Sequence, residues 1–476
     1  MFGYEYFSPF LKKVRYYKEE ESMKILFISL GCDKNLVDTE VMLELLRQKG
    51  YSFTDDENEC DIVVVNTCCF IGDAKEESIN ALLEAAQLKK NGRVKALVVA
   101  GCLAQRYHRE IQTEIPEVDA IVGTTCISRI ADAVEQALAG GKPVFVQDPD
   151  APVEFCINRV LTTGGHYAYL KIAEGCSKRC SYCIIPQIRG SYRSIPMEIL
   201  LEQANVLAEQ GVKELILVAQ ETTLYGLERY GEKSLPLLLH ELAQIPGIQW
   251  IRILYCYPEE ITEELIQAIK KEPKVCNYLD IPIQHASDRI LRRMGRHTTQ
   301  SQMRELIGHL REEIPDICLR TTLITGFPGE TQEDHEKLVD FVNEMEFDRL
   351  GVFTYSQEEG TAAAEMPEQI PEEQKEIWRQ EIMELQQEIA FTKAEDMVGR
   401  VLTVMVEGKV ADEEVYVTRT YRDTPGVDGY LFVHTSAMLM TGDLVQVQVT
   451  GCNEYDLVGE IWQEAESIAG KERNNN

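Results

Sequence analysis

The sequence predicts a multidomain α/β protein with three units: an N-terminal βαβ parallel-sheet domain, a central partial (β/α)6 barrel and a small C-terminal β-barrel. Three observations predict this class. Continuous apolar runs alternate with amphipathic segments in the first 130 residues or so, and a similar alternation occurs six times in the middle of the chain. After Gly399 the pattern changes to short alternating stretches, which indicates a small all-β unit.

The two ends of the chain carry no motif. Residues 1–22 lack the apolar core and cleavage site of a signal peptide, so they are predicted to be an N-terminal extension. Residues 466–476 are predicted to be a disordered tail. No apolar run reaches the ~18 residues that a membrane span needs. We therefore expect a cytoplasmic protein without a membrane partner.

Charge and cysteine content limit the possible partners. The net charge is −31, which disfavours non-specific binding to nucleic acid and suits a basic partner, although it also fits plain solubility. In a reducing compartment, 14 cysteines are not expected to form a disulfide framework. Cysteines at regular spacing indicate metal binding or catalysis instead.

The N-terminal unit, residues 23–139, contains three apolar runs that each end at a cysteine. The runs KILFISLGC, DIVVVNTC and KALVVAGC end at Cys32, Cys68 and Cys102. Continuous apolar runs are typical of parallel strands buried on both faces. Sites in such sheets form outside the carboxyl ends of the strands, so the three thiols are predicted to converge. Helices are predicted at 38–48, 74–88 and 105–113.

A linker at 140–165, rich in Pro, Asp, Thr and Gly, precedes the central unit at 166–394. Parallel strands and amphipathic helices alternate there, so we expect an open barrel with its chemistry at the carboxyl-end loops. The predicted strands are 167–173, 214–221, 250–257, 278–284, 319–325 and 349–355. The predicted helices are 197–210, 259–271, 300–313, 332–345 and 371–396.

The C-terminal unit, residues 395–465, contains four predicted strands that together indicate a small β-barrel. They lie at 401–410, 414–421, 429–435 and 444–452.

The motif AEGCSKRCSYCIIP follows the first strand of the central barrel and places Cys176, Cys180 and Cys183 at CxxxCxxC spacing. Structural zinc sites are closed by four ligands, and the nearest histidine, His166, lies at the other end of the strand. Cubane iron–sulfur clusters normally use four thiolates. Three thiolates therefore predict a cubane with one open iron, which can bind a ligand.

The CxxxCxxC motif, with Tyr182 before its last cysteine, resembles the signature of the radical S-adenosylmethionine enzymes. The resemblance implies that the open iron of a 4Fe–4S cluster chelates S-adenosylmethionine and that reductive cleavage yields a 5′-deoxyadenosyl radical. It also implies cofactor contacts at strand ends and in the ITGFPGET loop, although each residue also fits an ordinary structural role. These residues are Tyr182, Arg193, Gln220, Glu221, Thr325 and Gly326. His285, just past a barrel strand, fits a contact with substrate or cofactor and a structural hydrogen-bonding role equally.

The motifs GCDKNLVDTE, NTCCFI and AGCLAQR are similar to the N-terminal domain of the methylthiotransferases, a family of these radical enzymes, and the C-terminal unit is similar to their TRAM domain. The resemblance implies that Cys32, Cys68 and Cys102 hold a second 4Fe–4S cluster. Cys69 replaces the glycine that the family has there. Alternation along a strand sends Cys68 and Cys69 to opposite sides, and the motif favours Cys68.

The stretches QETTLYG, IPIQHAS and RTYRDTPGVDGY look like the RimO branch, which methylthiolates an aspartate of ribosomal protein S-twelve. The resemblance implies two S-adenosylmethionine molecules per turnover and a low-potential electron donor. Residues 395–463 contain 12 Asp or Glu against four Lys or Arg. Such a barrel suits a basic protein rather than RNA, through residues that include Asp412, Glu413, Glu414, Asp423 and Asp428.

Two alternatives stay open at this point. One is the branch of the family that methylthiolates adenosine in tRNA. We consider tRNA a less fitting substrate than a basic protein. The other is a non-catalytic iron–sulfur scaffold or electron carrier, which would not need an open iron. The remaining cysteines show no paired spacing and are predicted to be packing or surface thiols: Cys60, Cys126, Cys156, Cys256, Cys276, Cys318 and Cys452.

Overall fold

The computed structural model describes residues 22–462. The predicted N-terminal extension, apart from Ser22, and the predicted tail lie outside the described residues. Between residues 22 and 462, no helix is long and apolar enough to cross a membrane.

The N-terminal unit is a six-stranded, all-parallel sheet with the order β2-β1-β3-β4-β5-β6. Every residue of β3 and β4 is buried because apolar layers cover both faces, which explains their continuous apolar sequences. The segment predicted to be a linker contributes the edge strand β6. The strands are β1 (Lys24–Ser29), β2 (Ser52–Thr54), β3 (Ile62–Thr67), β4 (Ala96–Gly101), β5 (Ala120–Val122) and β6 (Val144–Phe145). The helices are α1 (Asp33–Gln48), α2 (Gly72–Lys90), α3 (Cys102–Glu114) and α4 (Ile130–Leu138).

The central unit is the predicted open barrel. Its six parallel strands have the order β14-β13-β12-β11-β10-β7, so β7 and β14 are the two edges. A small antiparallel pair, β8 with β9, flanks the CxxxCxxC loop. The strands are β7 (Tyr167–Lys171), β8 (Ala173–Glu174), β9 (Arg193–Ser194), β10 (Glu214–Val218), β11 (Trp250–Ile253), β12 (Val275–Asp280), β13 (Cys318–Thr325) and β14 (Arg349–Thr354).

Helices cover the outer face of this barrel and form the largest apolar cluster with it. Helices α11 and α12 have the predicted bounds because capping boxes at Thr299 and Thr331 fix where they begin. The helices are α5 (Ile185–Arg189), α6 (Met197–Glu209), α7 (Leu227–Tyr230), α8 (Leu235–Ala243), α9 (Glu263–Lys271), α10 (Asp288–Met294), α11 (Gln300–Glu313), α12 (Gln332–Met345) and α13 (Glu372–Glu395).

The C-terminal unit is a closed five-stranded barrel with the order β15-β16-β17-β19-β18. Its last strand was not predicted, and it pairs in parallel with β17 to close the barrel. Met405 of this unit is buried among inward-facing residues of the central barrel, such as Trp250 and Tyr278. The strands are β15 (Val401–Lys409), β16 (Val415–Thr420), β17 (Leu431–His434), β18 (Leu444–Asn453) and β19 (Asp456–Ile461).

Candidate cluster and cofactor sites

The three cysteines of the N-terminal unit lie at the carboxyl edge of neighbouring strands. Cys32 is the residue before α1, Cys68 follows β3, and Cys102 begins α3 directly after β4. Gly31 has a φ of +93°, and a Cβ there would lie 2.9 Å from Sγ of Cys68. The loop of Cys32 therefore packs directly on Cys68, and glycine is required for that approach.

Electrostatics also shows that these three thiols are neighbours. Burial raises the pKa of Cys102 to about 12, and the nearby thiolates of Cys68 and Cys32 add to the increase. Burial likewise raises the pKa of Cys68, again with a contribution from Cys32. Three buried thiols in one place, with the guanidinium of Arg189 beside Cys102, are a donor set that suits a metal cluster.

The second cysteine trio lies in the loop between β8 and α5, at the carboxyl end of the barrel. The loop is compact, since the Cys183 N–H donates to the carbonyl of Cys180 at 3.0 Å. Burial raises the pKa of Cys176 to about 11 and also raises that of Cys183. The hydroxyl of Tyr257 lies 3.6 Å from Sγ of Cys180.

Neither trio is arranged around a single ion. Within residues 22–462, no three His, Cys, Asp or Glu side chains could hold one metal ion together. A cubane cluster binds each thiolate to a different iron, so its ligands stay further apart than those of one ion. A donor set of three thiolates fits a cubane with one open iron at each trio.

Cys69 lies in different surroundings from Cys68. It is fully buried in an apolar cluster that contains Ile184 and also Cys102, and burial raises its pKa. Cys68 lies against the loop of Cys32. Both cysteines lie beyond the end of β3 at Thr67, so the alternation expected along a strand is not tested by their positions. The assignment of Cys68 as the ligand stays a prediction.

Buried polar atoms without a hydrogen-bond partner within residues 22–462 mark the mouth of the central barrel. They include Oε1 of Gln220, Oε2 of Glu221, the hydroxyl of Tyr192 and two guanidinium nitrogens of Arg296. Burial raises the pKa of Glu221 to about 7. Such atoms fit a polar ligand with amino, carboxylate and hydroxyl groups, which S-adenosylmethionine carries.

The other predicted cofactor residues differ in their surroundings. Tyr182 is close to Cys180 and Arg296. Arg193 donates to Oδ1 of Asp150 at 3.1 Å, so its guanidinium is held by the segment after β6.

Thr325 donates to the carbonyl of Lys375 at 3.3 Å, and the Gly326 N–H donates to Glu330 at 2.7 Å. These two residues are enclosed by α13. The cofactor roles of all four stay predictions.

His285 has the contacts of a structural residue. It is fully buried, and its Nδ1 accepts hydrogen bonds from the N–H groups of Ala286 and Ser287, each at 2.9 Å. Its Nε2 faces Oε1 of Glu330 at 3.2 Å. Glu330 also accepts from the N–H groups of Gly326 and Phe327, so it holds the ITGFPGET loop in place.

The N-terminal unit lies over the carboxyl end of the central barrel. Nζ of Lys34 is 3.4 Å above the ring of Tyr255, whose hydroxyl donates to Asp33 at 3.2 Å. Tyr255 has a φ of +60°, a conformation that costs energy for a tyrosine. Arg106 pairs with Glu358 beyond β14 at 3.3 Å. The loop of Cys32 thus meets the barrel at Tyr255, two residues before Tyr257, which contacts Cys180.

Two acidic residues expected to attract a basic partner are not on the surface. Asp423 pairs with Arg349 at 2.6 Å, and Asp428 accepts from the hydroxyl of Tyr278 at 2.9 Å. Both side chains are buried where the C-terminal barrel meets the central barrel. The sequence pattern missed this because the partners are about 75 to 150 residues away in the chain. Asp412, Glu413 and Glu414 are exposed as expected.

Known proteins resemble this chain along almost its whole described length. Three family profiles match: "Uncharacterized protein family UPF0004" at 24–123, "Radical SAM superfamily" at 170–342 and "TRAM domain" at 398–461. A protein of Lachnoclostridium phytofermentans named "Ribosomal protein uS12 methylthiotransferase RimO" is 61% identical over 437 residues, covering 92% of this chain and 99% of that protein. A relative of the same name from Pelotomaculum thermopropionicum is 51% identical over 439 residues, with 92% and 99% covered.

Solved structures share the fold at low identity. The radical S-adenosylmethionine methyltransferase TsrM of Kitasatospora setae, solved with tryptophan and aza-SAM, has a TM-score of 0.51 at 16% identity. The similarity covers 70% of this chain and 73% of that one. At this identity the likeness shows the architecture alone.

Proposed function

This chain belongs to the RimO family of radical S-adenosylmethionine methylthiotransferases, and we propose that it replaces a β-hydrogen of an aspartate in ribosomal protein uS12 with a methylthio group. The observation that carries the proposal is that two three-cysteine sites lie on separate units, which meet at the carboxyl end of the central barrel. A radical that removes a hydrogen and a sulfur that replaces it must both reach the same carbon atom.

The enzyme uses two 4Fe–4S clusters and S-adenosylmethionine. We assign Cys176, Cys180 and Cys183 to the radical cluster, and Cys32, Cys68 and Cys102 to the sulfur-bearing cluster. When bound, these groups supply reductive cleavage of S-adenosylmethionine and the sulfur to be transferred. Two S-adenosylmethionine molecules are consumed per turnover in this proposal, one for the radical and one for the methyl group.

The chain's own residues bind and orient the reactants. Gln220 and Glu221 offer buried oxygens to the amino group of the cofactor, while Tyr192 and Arg296 offer hydrogen-bond donors. A Glu221 carboxyl with a pKa near 7 can hold a proton or carry a charge at neutral pH, as the ligand requires. The contacts of Lys34 and Asp33 with Tyr255 keep the N-terminal unit against the barrel mouth and limit entry of water.

The surface supports a basic protein partner. In the C-terminal barrel, Asp412, Glu413 and Glu414 form an exposed acidic turn between β15 and β16, and Arg419 and Arg422 are largely buried in salt bridges. Such a surface repels RNA phosphates and attracts a basic ribosomal protein, free or in the ribosomal subunit. We further propose a low-potential electron donor, and the cytoplasm as the place where the enzyme meets its substrate.

The test is a direct comparison of substrates. Reconstituted enzyme with S-adenosylmethionine and a strong reductant is incubated with purified uS12 in one reaction and bulk tRNA in another. Mass spectrometry should find a methylthio group on one aspartate of uS12 and none on tRNA. Methylthiolated adenosine with unmodified uS12 would favour the tRNA-modifying alternative and contradict the proposal. Failure to cleave S-adenosylmethionine would favour an electron carrier.

A further inference from the structure

One buried arginine connects the two cysteine trios. Arg189 is the last residue of α5, which begins two residues after Cys183. Its side chain is 2% exposed and extends to the other trio, where Nη2 donates to Sγ of Cys102 at 3.5 Å and to Oδ1 of Asn35 at 3.2 Å. A helix fixed to the radical motif thus places a cation on a cysteine of the N-terminal site.

The charge of Arg189 is balanced by two carboxylates. Nη1 of Arg189 donates to Asp38 at 2.8 Å and to Glu174 at 3.2 Å. Lys171 pairs with the same two carboxylates. The two cations and two carboxylates together are close to neutral. Removal of a cation therefore leaves excess negative charge, and removal of a carboxylate leaves excess positive charge.

We propose that Arg189 is a positioning residue that stabilises the reduced state of the N-terminal cluster through Cys102 and holds Cys102 in register with the radical motif. The proposal rests on the proposed function, since it requires that Cys102 ligates a cluster. Reduction adds one negative charge to a buried cluster, and a nearby cation lowers the free energy of that state. Hydrogen bonds to the sulfur ligands and local charge are known means of setting cluster potentials.

The account predicts opposite effects for opposite charge changes. Arg189→Met should lower the midpoint potential of the N-terminal cluster, and Arg189→Lys should give an intermediate value. Asp38→Asn, which leaves an excess of positive charge, should raise it. We expect the ratio of reduced to oxidised cluster at a fixed poise to change about tenfold, which corresponds to ~59 mV for a one-electron couple.

The measurement needs a chain with only the N-terminal cluster. Full-length protein carrying Cys176→Ala, Cys180→Ala and Cys183→Ala provides it, and the Arg189 and Asp38 substitutions are added to this parent. Anaerobic redox titration followed by electron paramagnetic resonance reads the potential without any turnover. Arg422→Met is the matched control, because Arg422 is also paired in a buried place but at the amino end of the barrel strands, beside Asp348.

The outcomes separate this inference from the proposed function. A parent without iron would contradict the cluster assignment itself. A parent with a cluster whose potential is the same in all variants would overturn the role of Arg189 alone. Potential shifts of the same sign in Arg189→Met and Asp38→Asn would also overturn it. A packing defect, unlike a charge effect, does not reverse when the sign of the removed charge is reversed. If Arg189→Met does not fold, the opposite shifts expected of Arg189→Lys and Asp38→Asn still decide the question.

Discussion

Replacing Glu214 should destabilise the interface between the C-terminal barrel and the central barrel. Its carboxylate binds Arg252 at 2.8 Å and Arg419 at 2.7 Å, and all three side chains are fully buried. Glu214→Gln keeps the shape but removes the charge. Arg419 retains Glu407 at 2.6 Å, whereas Arg252 retains a carbonyl, that of Tyr421. The free-energy cost of the substitution therefore arises mainly at Arg252, whose buried charge loses the Glu214 carboxylate and keeps a carbonyl partner.

Removing one partner of a buried ion pair costs about 3–5 kcal/mol, and the remaining acceptors place Glu214→Gln near the lower end. With a urea dependence of about 1–3 kcal/mol per molar, the midpoint should fall by roughly 1–3 M. Tryptophan fluorescence reports the transition, with contributions from Trp250 at this interface and from Trp378 and Trp462. Glu460→Gln, on an exposed position of the same barrel, is the control. Equal midpoints for wild type and Glu214→Gln would refute the reasoning.

The pH dependence gives a second check on Glu214. Burial acts to raise its pKa, but the guanidiniums of Arg419 and Arg252 outweigh it and hold the pKa below its ordinary value of 4.5. Because the folded-state pKa is depressed, the stabilisation is complete above the unfolded-state value and is lost as pH falls through the folded one. The free energies of unfolding of wild type and Glu214→Gln should show their full difference at pH 7, and this difference should disappear well below pH 4.5.

Two further predictions concern the cluster ligands and the docking surface. Cys69→Ala should retain the full ~eight iron atoms of two cubanes, whereas Cys68→Ala should lose the iron of one cluster. Iron analysis after reconstitution measures this, and equal iron losses in the two variants would contradict the choice of Cys68. The triple change Asp412→Lys, Glu413→Lys and Glu414→Lys should slow association with uS12 and weaken its salt dependence while 5′-deoxyadenosine formation stays unchanged. The same charge reversal at the exposed Asp55, Glu57 and Glu373 is the control, and equal slowing there would show that net charge alone is responsible.

Local sequence signals were sufficient for most elements and for the position of each cysteine trio at the carboxyl ends of strands; that the trios hold clusters stays a prediction. Helices α11 and α12 were predicted to their ends because capping residues define their starts. Helices α1 and α3 begin earlier than predicted, since glycines at 31 and 101 turn the chain directly into a helix at the cysteines. The strand β19 was missed because its pairing with β17 depends on closure of the barrel, which no local pattern encodes.

The parts that sequence reasoning missed are long-range charge pairs. Arg189 lies 87 residues from Cys102, and Arg419 lies 205 residues from Glu214. A charged residue in a sequence normally indicates an exposed position, so neither pair was visible before the fold was known. The same limit explains why Asp423 and Asp428 were assigned to the docking surface.

Formation of 5′-deoxyadenosine by two triple-cysteine variants tests the central claim most directly. The claim is that each trio holds its own cluster and that the one at Cys176, Cys180 and Cys183 cleaves S-adenosylmethionine. Changing those three to alanine should abolish 5′-deoxyadenosine. The variant with alanine at Cys32, Cys68 and Cys102 should retain about half of the ~eight iron atoms and should still cleave S-adenosylmethionine. It should form no methylthio product. Cleavage by the first variant, or its complete loss in the second despite retained iron, would contradict the account.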